Sequence, residues 1–588
     1  MCGFYGFTGG TRRDVELGLK QIAHRGPDEK QIAQVQSTVI GHVRLSIVGI
    51  NSGRQPAEVL GGYLLYNGEI YNYRDLILKY DLSSSLESDT DVLVALYNTI
   101  GWDKMLAEIR GMFSLAVVLK DEILLARDRY GQKPLYYTSH NNKFQFGSDL
   151  LSFNLERSLS NIDTIAINYF MSFAFIPSPL TIWKGVCKVE PGQCIKYDIM
   201  TGKMSKQYYY NILDRKYYSD ANFEELLQDS VRNHSISDVG ANILLSGGVD
   251  SSLLALYANN STKLFTVRWR DKEYNESKNA IKISRKLNRD LNIIDVNPQG
   301  FEKSLSDIVN VLGEPFADDG MLSLDAVLNS IQNKGEKVVI SGDAADELFG
   351  GYNRYNIDLY LSLLPNILLK NALKIFRKGT IKYSQIDKLL SLKNSRSAIE
   401  RHYRISQIIL NDDQRQDLLF SYQNIYDDVS SEMMRWKNIS KSKWKYFFDV
   451  KFLIEGNMMV KGDRMSMKNS LELRVPFLDE YIVEKALLGE RKNIKFGIKK
   501  FHLKKIFVNK FGLSTLQRKK GFGAPLLTDY QDSYHKALDN LKGNKQLLLW
   551  NLMHRDKTLK ALDVNNGNFK RFSFALLVLS KWLEKHLD

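Results

Sequence analysis

The sequence predicts an α+β sandwich over residues 1–207, followed by an α/β domain over 208–588 that is built on a parallel sheet and ends in a largely helical part. Three observations carry this prediction. Residues 1 to about 205 hold short β-rich runs separated by Gly, Asn and Asp turns. Beyond about 218, single apolar strands alternate with helical periodicity, the pattern of strands joined by crossover helices. From about 355 onward the helical pattern dominates. The change between the first two patterns places a linker near 205–218.

In the first part, "STVIGHVRLSIVGI" (37–50), "GGYLLYNGEIYNY" (61–73), "MFSLAVVLKDEILLARD" (112–128) and "KPLYYTSHNNKFQFGSD" (133–149) read as strands, and two helices are predicted at about 12–23 and 89–100. In the second part, "ANILLSGG" (241–248), "KLFTVRW" (263–269), "LNIIDV" (291–296) and "EKVVISGD" (336–343) are the expected parallel strands. No internal repeat or low-complexity tract interrupts either part.

The three cysteines, Cys2, Cys187 and Cys194, are too few for a disulfide framework and are not spaced like a zinc site. The first thirty residues lack an apolar signal core, and no stretch reaches the length of a membrane span. A cytoplasmic protein without membrane insertion is expected. The formal charge of +14 invites a nucleic-acid reading, but its clusters lie late, in "RKNIKFGIKKFHLKK" (491–505) and "QRKKGFG" (517–523). The first run alternates charge with Ile, Phe and Leu and reads as a solvated amphipathic helix. Phosphate-bearing small substrates are the next explanation.

The strongest single motif is "LLSGGVDSS" (244–252). A strand ending near Leu245 is followed by Gly247 and Gly248, which let the backbone approach an anion. A helix starting near Asp250 then offers amides to phosphate. Ser246, Ser251 and Ser252 add hydroxyl donors, and Asp250 suits a Mg2+ that neutralises pyrophosphate. The motif resembles the pyrophosphate-binding loop of ATP pyrophosphatases, which cleave ATP between the α and β phosphates and adenylylate an acceptor. A second cluster follows the fourth strand in "VVISGDAADELFGGYNRY" (338–355). Ligands of open parallel sheets sit beyond the carboxyl ends of strands, so Asp343, Asp346 and Glu347 fall where Asp250 also points. Asp346 is expected as the second Mg2+ ligand, and Asp343 and Glu347 as acceptor or intermediate contacts. Acidic first-turn residues of a capped helix are the plain alternative.

The motifs "MCGFYGF", "HRGPD", "RLSIVGINSGRQP", "YNGEIYNY", "SDTDVLVALY", "GMFSLAV", "ARDRYGQKPLYY", "SGGVDSS", "SGDAADELFGGY", "VKGDRMSMKNSLELRVPFLD" and "RKKGFGAPL" resemble, in order and over nearly the whole chain, those of glutamine-hydrolysing asparagine synthetases. The resemblance implies an N-terminal Ntn-hydrolase-like glutaminase domain (1–207) and an ATP-pyrophosphatase domain (208–588). It implies ATP and Mg2+, small-molecule substrates, no nucleic acid, and the option of a homodimer. It also implies that Cys2, freed by removal of Met1, attacks the side-chain amide of glutamine while its α-amine moves protons. Asn67 and the Gly68 amide would form the oxyanion hole. Arg44 would grip the glutamine α-carboxylate, and Asp89 its α-ammonium, with Glu69 as a further contact. Taken alone, Asn67–Gly68 is a common hairpin turn and Asp89 an ordinary helix N-cap. On the ATP side the resemblance adds Val267, Ser341 and Gly342 to the nucleotide site and places Arg464 as a cation on the transferring phosphates; a salt bridge from Arg464 to Asp463 or Glu472 is the plain alternative. Ammonia would need a shielded passage between the domains.

Two departures fall on the acceptor side. The family forms "SGDGADE" or "SGEGSDE" read "SGDAADE" here, with Ala344 in place of glycine, and "GEPFADDGMLSLDAV" (313–327) diverges at Asp318, Asp319 and Gly320. Aspartate is the expected acceptor, with the uronic acid of a nucleotide sugar as the alternative. A tRNA-thiolating enzyme would share the pyrophosphate loop but usually needs a cysteine near it, and 207–588 contains none. A catalytically silent scaffold would differ in forming no AMP or glutamate.

Overall fold

The computed structural model describes residues 2–141, 143–215, 222–271, 274–296, 300–357, 361, 364–375, 381–436, 443–489, 499–515, 523–563 and 569–587. Part of the expected linker, 216–218, and most of both basic runs, 491–498 and 517–522, lie outside them.

Twelve strands form two antiparallel sheets in the N-terminal part. They are β1 (Cys2–Thr8), β2 (Glu29–Val35), β3 (Thr38–Arg44), β4 (Ala57–Val59), β5 (Gly62–Ile70), β6 (Gly111–Leu119), β7 (Glu122–Arg127), β8 (Tyr136–His140), β9 (Lys143–Gly147), β10 (Val186–Lys188), β11 (Gln193–Asp198) and β12 (Met204–Tyr208). One sheet runs β10-β8-β9-β1-β3-β2 and the other β12-β11-β7-β6-β5-β4. Period-two alternation decides which side chain enters which core. Phe4, Ile40, Leu65, Ala116, Phe144 and Ile195 pack between the sheets. Their neighbours Tyr5 and Val39 turn outward onto Val15 and Leu19 of the helix Arg12–Gln21. Leu64, Phe113 and Leu115 turn onto Val92 and Leu96 of the helix Asp89–Ile100. The result is a helix–sheet–sheet–helix sandwich, the α+β layering expected for this part. Strand β3 stops at Arg44, so "LSIVGI" is loop and not strand as expected. β1, β2, β4, β10, β11 and β12 lie outside the expected strand runs.

The C-terminal part holds a five-stranded parallel sheet: β13 (Asn242–Leu244), β14 (Lys263–Arg268), β15 (Leu291–Asp295), β16 (Val338–Ile340) and β17 (Glu472–Arg474), in the order β15-β14-β13-β16-β17. Strand β13 is flanked by β14 on one side and β16 on the other, so the chain reverses its winding there. At such a switch point the loops following the two central strands diverge and leave a crevice at their carboxyl ends. Both phosphate-side motifs therefore meet. Strand β17, which was not expected, extends the sheet towards the N-terminal part. Helices hold most of the other described residues of this part, including an 11-residue π-helical stretch, Asp449–Met459, that runs into the helix Val460–Lys468. Among the described residues no helix is long and apolar enough to cross a membrane.

Buried ion pairs join the two parts: Arg25 to Asp463 at 2.8 Å, Arg127 to Glu455 at 2.9 Å, Lys188 to Glu314 at 2.6 Å and Lys451 to Glu190 at 2.9 Å. Removing one partner of such a pair strands a buried charge, at a cost of about 3–5 kcal/mol. These contacts fix the relative placement of the parts more than they add net stability.

Candidate active site

Cys2 opens β1 at the centre of its sheet and lies opposite Arg44 of β3 in register. It is buried, and its backbone N–H donates to Asn67 Oδ1 at 3.1 Å. With Oδ1 so engaged, Asn67 presents its Nδ2 donor, whose protein partner is the Ser114 hydroxyl at 3.4 Å. The next residue, Gly68, runs so close to β6 that a Cβ would lie 2.0 Å from the Met112 carbonyl oxygen, which excludes any side chain. Burial pushes the Cys2 thiol above its ordinary value, so the nucleophile is stored as a thiol and needs a base in the step that uses it.

Arg44 is aimed by the loop after β3: Nη2 donates to the carbonyls of Gly49 and Ser52, each at 2.6 Å. Asp89 is buried in the first turn of its helix, where its Oδ2 accepts from the Tyr66 hydroxyl at 2.8 Å and the Ile70 amide at 3.1 Å. It is not the N-cap. Ser88 holds that position and forms a capping box with Asp91, which leaves Asp89 for another task. Glu69 points to the other part of the chain and pairs with Arg474 of β17 at 3.2 Å. Cys2, Arg44, Asn67, Gly68, Glu69 and Asp89 thus converge on one end of the sandwich.

On the parallel sheet, Gly247 has φ +78°, and a Cβ there would meet the Asn279 carbonyl carbon at 2.4 Å. The loop closes on itself: the Ser246 amide donates to Ser251 Oγ at 3.2 Å and the Gly248 amide to Ser246 Oγ at 3.2 Å. The helix Val249–Tyr257 then starts one residue before Asp250. Gly342, from the loop after β16, comes so close that a Cβ would lie 3.1 Å from that of Asp250. Asp250 Oδ2 and Asp346 Oδ1 both lie 2.6 Å from the Lys500 ammonium. Lys500 is buried at the start of the helix Phe501–Phe511, so this part of the basic run is not solvated as expected. A buried lysine inserted between two carboxylates leaves no composition signal; only the fold reveals it. Ser252 is fully buried in the helix, and its hydroxyl has no hydrogen-bond partner among the described residues. Val267 lies near the end of β14, and Ser341 Oγ donates to Asp343 at 2.8 Å.

Two expected residues take other partners. Glu347 accepts the Tyr352 hydroxyl at 2.6 Å and is buried away from Lys500, and burial raises its carboxyl above the usual range. Arg464 contacts Asp149 and, at 2.9 Å, the Tyr136 hydroxyl, both in the N-terminal part. Its hydrogen-bond partners are neither Asp463 nor Glu472. The cation of that helix beside the acceptor-side carboxylates is Lys461, paired with Asp318 at 3.0 Å. Burial disfavours its ammonium, but the charges of Asp318, Asp343 and Asp319 hold it above the usual lysine value. Ala344 occupies a left-handed backbone position, φ 67° and ψ −15°, which costs a non-glycine residue about 1 kcal/mol.

The asparagine synthase family model matches residues 222–584, well over half of the chain, and a glutamine amidotransferase domain model matches residues 1–210. The chain belongs to the asparagine synthase family. It is similar to an asparagine synthetase [glutamine-hydrolyzing] of Bacillus subtilis, 29% identical over 620 aligned residues that cover 99% of this chain and 96% of the relative. A second Bacillus subtilis asparagine synthetase is 26% identical, covering 100% and 97%. The Amidase chyE of Penicillium rubens is also 26% identical, covering 80% and 77%. Family membership and the two domains make this chain an ATP-dependent, glutamine-hydrolysing ligase of the asparagine synthase type.

Proposed function

We propose that the chain converts aspartate to asparagine in the cytoplasm, with glutamine as nitrogen donor. Cys2, once Met1 is removed, attacks the glutamine amide carbon, and its α-amine carries the thiol proton to the departing ammonia. Asn67 Nδ2 and the Gly68 amide receive the oxyanion, while Arg44 and Asp89, with Glu69 nearby, hold the α-carboxylate and α-ammonium. Water then releases glutamate from the thioester. Ammonia crosses between the two parts, where a cavity is lined by Arg127, Tyr136, Lys188, Glu455 and Arg464.

In the other site the acceptor carboxylate attacks the α-phosphorus of ATP, and pyrophosphate leaves towards the Ser246–Ser252 loop. Ser246, Ser251 and the amides of Gly247 and Gly248 bind it, with Ser252, Val267, Ser341 and Gly342 shaping the nucleotide pocket. Ammonia displaces AMP from the acyl adenylate. Asp250 and Asp346 would hold Mg2+, which neutralises charge on the departing pyrophosphate. The donor set fits that ion: two carboxylates converge on one cationic position, and the buried Asp250 Oδ1 has no hydrogen-bond partner among the described residues. Among those residues no group of three or more His, Cys, Asp or Glu could hold a metal.

The observation that carries the choice of acceptor is the mixed charge beside Asp343. Lys461 offers an ammonium, and Asp318 and Asp343 offer carboxylates, a set that suits the carboxylate and ammonium of an amino acid. A nucleotide-linked uronate would instead call for a purely cationic diphosphate pocket. The test supplies ATP, Mg2+ and ammonium with either aspartate or a panel of nucleotide-linked uronates, and identifies the amide by mass spectrometry. Aspartate is expected to stimulate AMP release and yield asparagine. Aspartate-independent AMP release with amidation of a uronate would overturn this acceptor.

A further inference from the structure

We infer that Arg474 is a positioning residue that ties the glutamine pocket to the nucleotide loop, an inference that rests on the two-site reading above. Arg474 ends β17 and faces both ways. Its main-chain oxygen accepts the Ser341 amide at 2.9 Å, at the start of the loop Ser341–Gly342–Asp343. Its side chain is completely buried and reaches the boundary with the N-terminal part. Nη2 lies 3.2 Å from Glu69 Oε1 of the N-terminal part, while within the C-terminal part Nη1 donates to the His234 carbonyl at 2.9 Å and Nε pairs with Glu472.

Glu69 directly follows Asn67 and Gly68, and Asn67 in turn holds the Cys2 amide at 3.1 Å. The path from nucleotide loop to nucleophile therefore consists of one main-chain hydrogen bond, one ion pair, two peptide bonds and one side-chain hydrogen bond. Arginine suits the task because a planar fork with five donors can serve carboxylates and carbonyls in several directions at once, which a lysine ammonium on a flexible stem cannot.

The charges are unequal in this cluster. Although burial works against ionisation, Arg474 holds Glu472 down to about 2, so Glu472 carries the compensating charge. Burial and the Glu472 charge push the Glu69 carboxyl above the usual carboxylate range, and the Arg474 guanidinium works in the opposite direction. A shift of Arg474 changes what Glu69 feels, and Glu69 shares its strand with the oxyanion donors.

The test uses the full-length enzyme with an ATP analogue that cannot be cleaved between the α and β phosphates, and measures glutamine KM and kcat for glutamate release. In the parent enzyme the analogue is expected to change glutamine KM by about fivefold or more. In R474K, which keeps the main-chain bond and the charge but not the fork, that response is expected to vanish. Saturable glutamate release and ammonium-supported AMP formation persist in the variant. E472Q, which leaves Arg474 in place and removes its charged partner, is expected to lose the response as well and serves if R474K does not fold. A parent KM indifferent to the analogue, or a parent-like response in either folded variant, would overturn the role given to Arg474. A parent enzyme that released no glutamate at all would overturn the amidotransferase reading together with it.

Discussion

Replacing Cys2 by alanine is expected to lower glutamate release from glutamine by roughly three orders of magnitude or more, because the variant has no nucleophile to form the thioester. Asparagine formation from glutamine falls with it. AMP formation supported by added ammonium is expected to stay within about twofold of the parent, since Cys2 only liberates nitrogen and makes no contact with the Ser246–Ser252 loop. The fold should tolerate the change: Cys2 is held by its backbone, through the N–H to Asn67 and the carbonyl to Arg25 Nε at 3.3 Å, and both bonds survive in alanine. Loss of both activities in a folded variant would contradict the division of labour.

The converse separation is expected from Asp250→Asn. Its carboxylate pairs with Lys500 and faces the nucleotide loop, and an amide of the same shape supplies neither the charge for Mg2+ nor the ion pair. Synthesis from glutamine or from ammonium is expected to drop by about 10^2-fold or more, the scale of losing a charged group that stabilises a phosphoryl transition state. Glutamate release should largely persist, because nothing in the Cys2 pocket uses the metal. Asp346→Asn should behave alike, with Lys500 then paired to Asp250 alone. Unchanged AMP formation in both variants would remove these residues from the ATP site.

Much of this was legible in the sequence wherever chemistry and backbone geometry coincide over a few residues. Gly68 and Gly247 permit approaches that a Cβ would block, and each sits inside a short motif whose polar neighbours share its role. The parallel strands β13 to β16 were legible as apolar runs between helical patterns. β17 was not: three residues, Glu472–Arg474, between a helix and a proline carry no periodicity, and parallel pairing with β16 is a non-local contact. Lys500 read as part of a solvated basic face, because burial against two carboxylates from distant loops cannot be inferred from spacing. Arg464 fell within a matching motif, yet its guanidinium is engaged by Asp149 across the boundary between the parts. From the sequence Glu472 is a candidate partner for Arg464, whereas in the fold it pairs with its strand neighbour Arg474.

The central claim is that nitrogen leaves glutamine at Cys2 and reaches an adenylated carboxylate without escaping into water. The most direct measurement supplies amide-15N glutamine, ATP, Mg2+ and aspartate in the presence of unlabelled ammonium, and follows the label, glutamate and AMP together. The account predicts 15N in the amide product in excess of its share of the free ammonium pool, with one AMP formed per amide. Label confined to free ammonium while the product amide is unlabelled, or an amide formed with ADP in place of AMP, would contradict it.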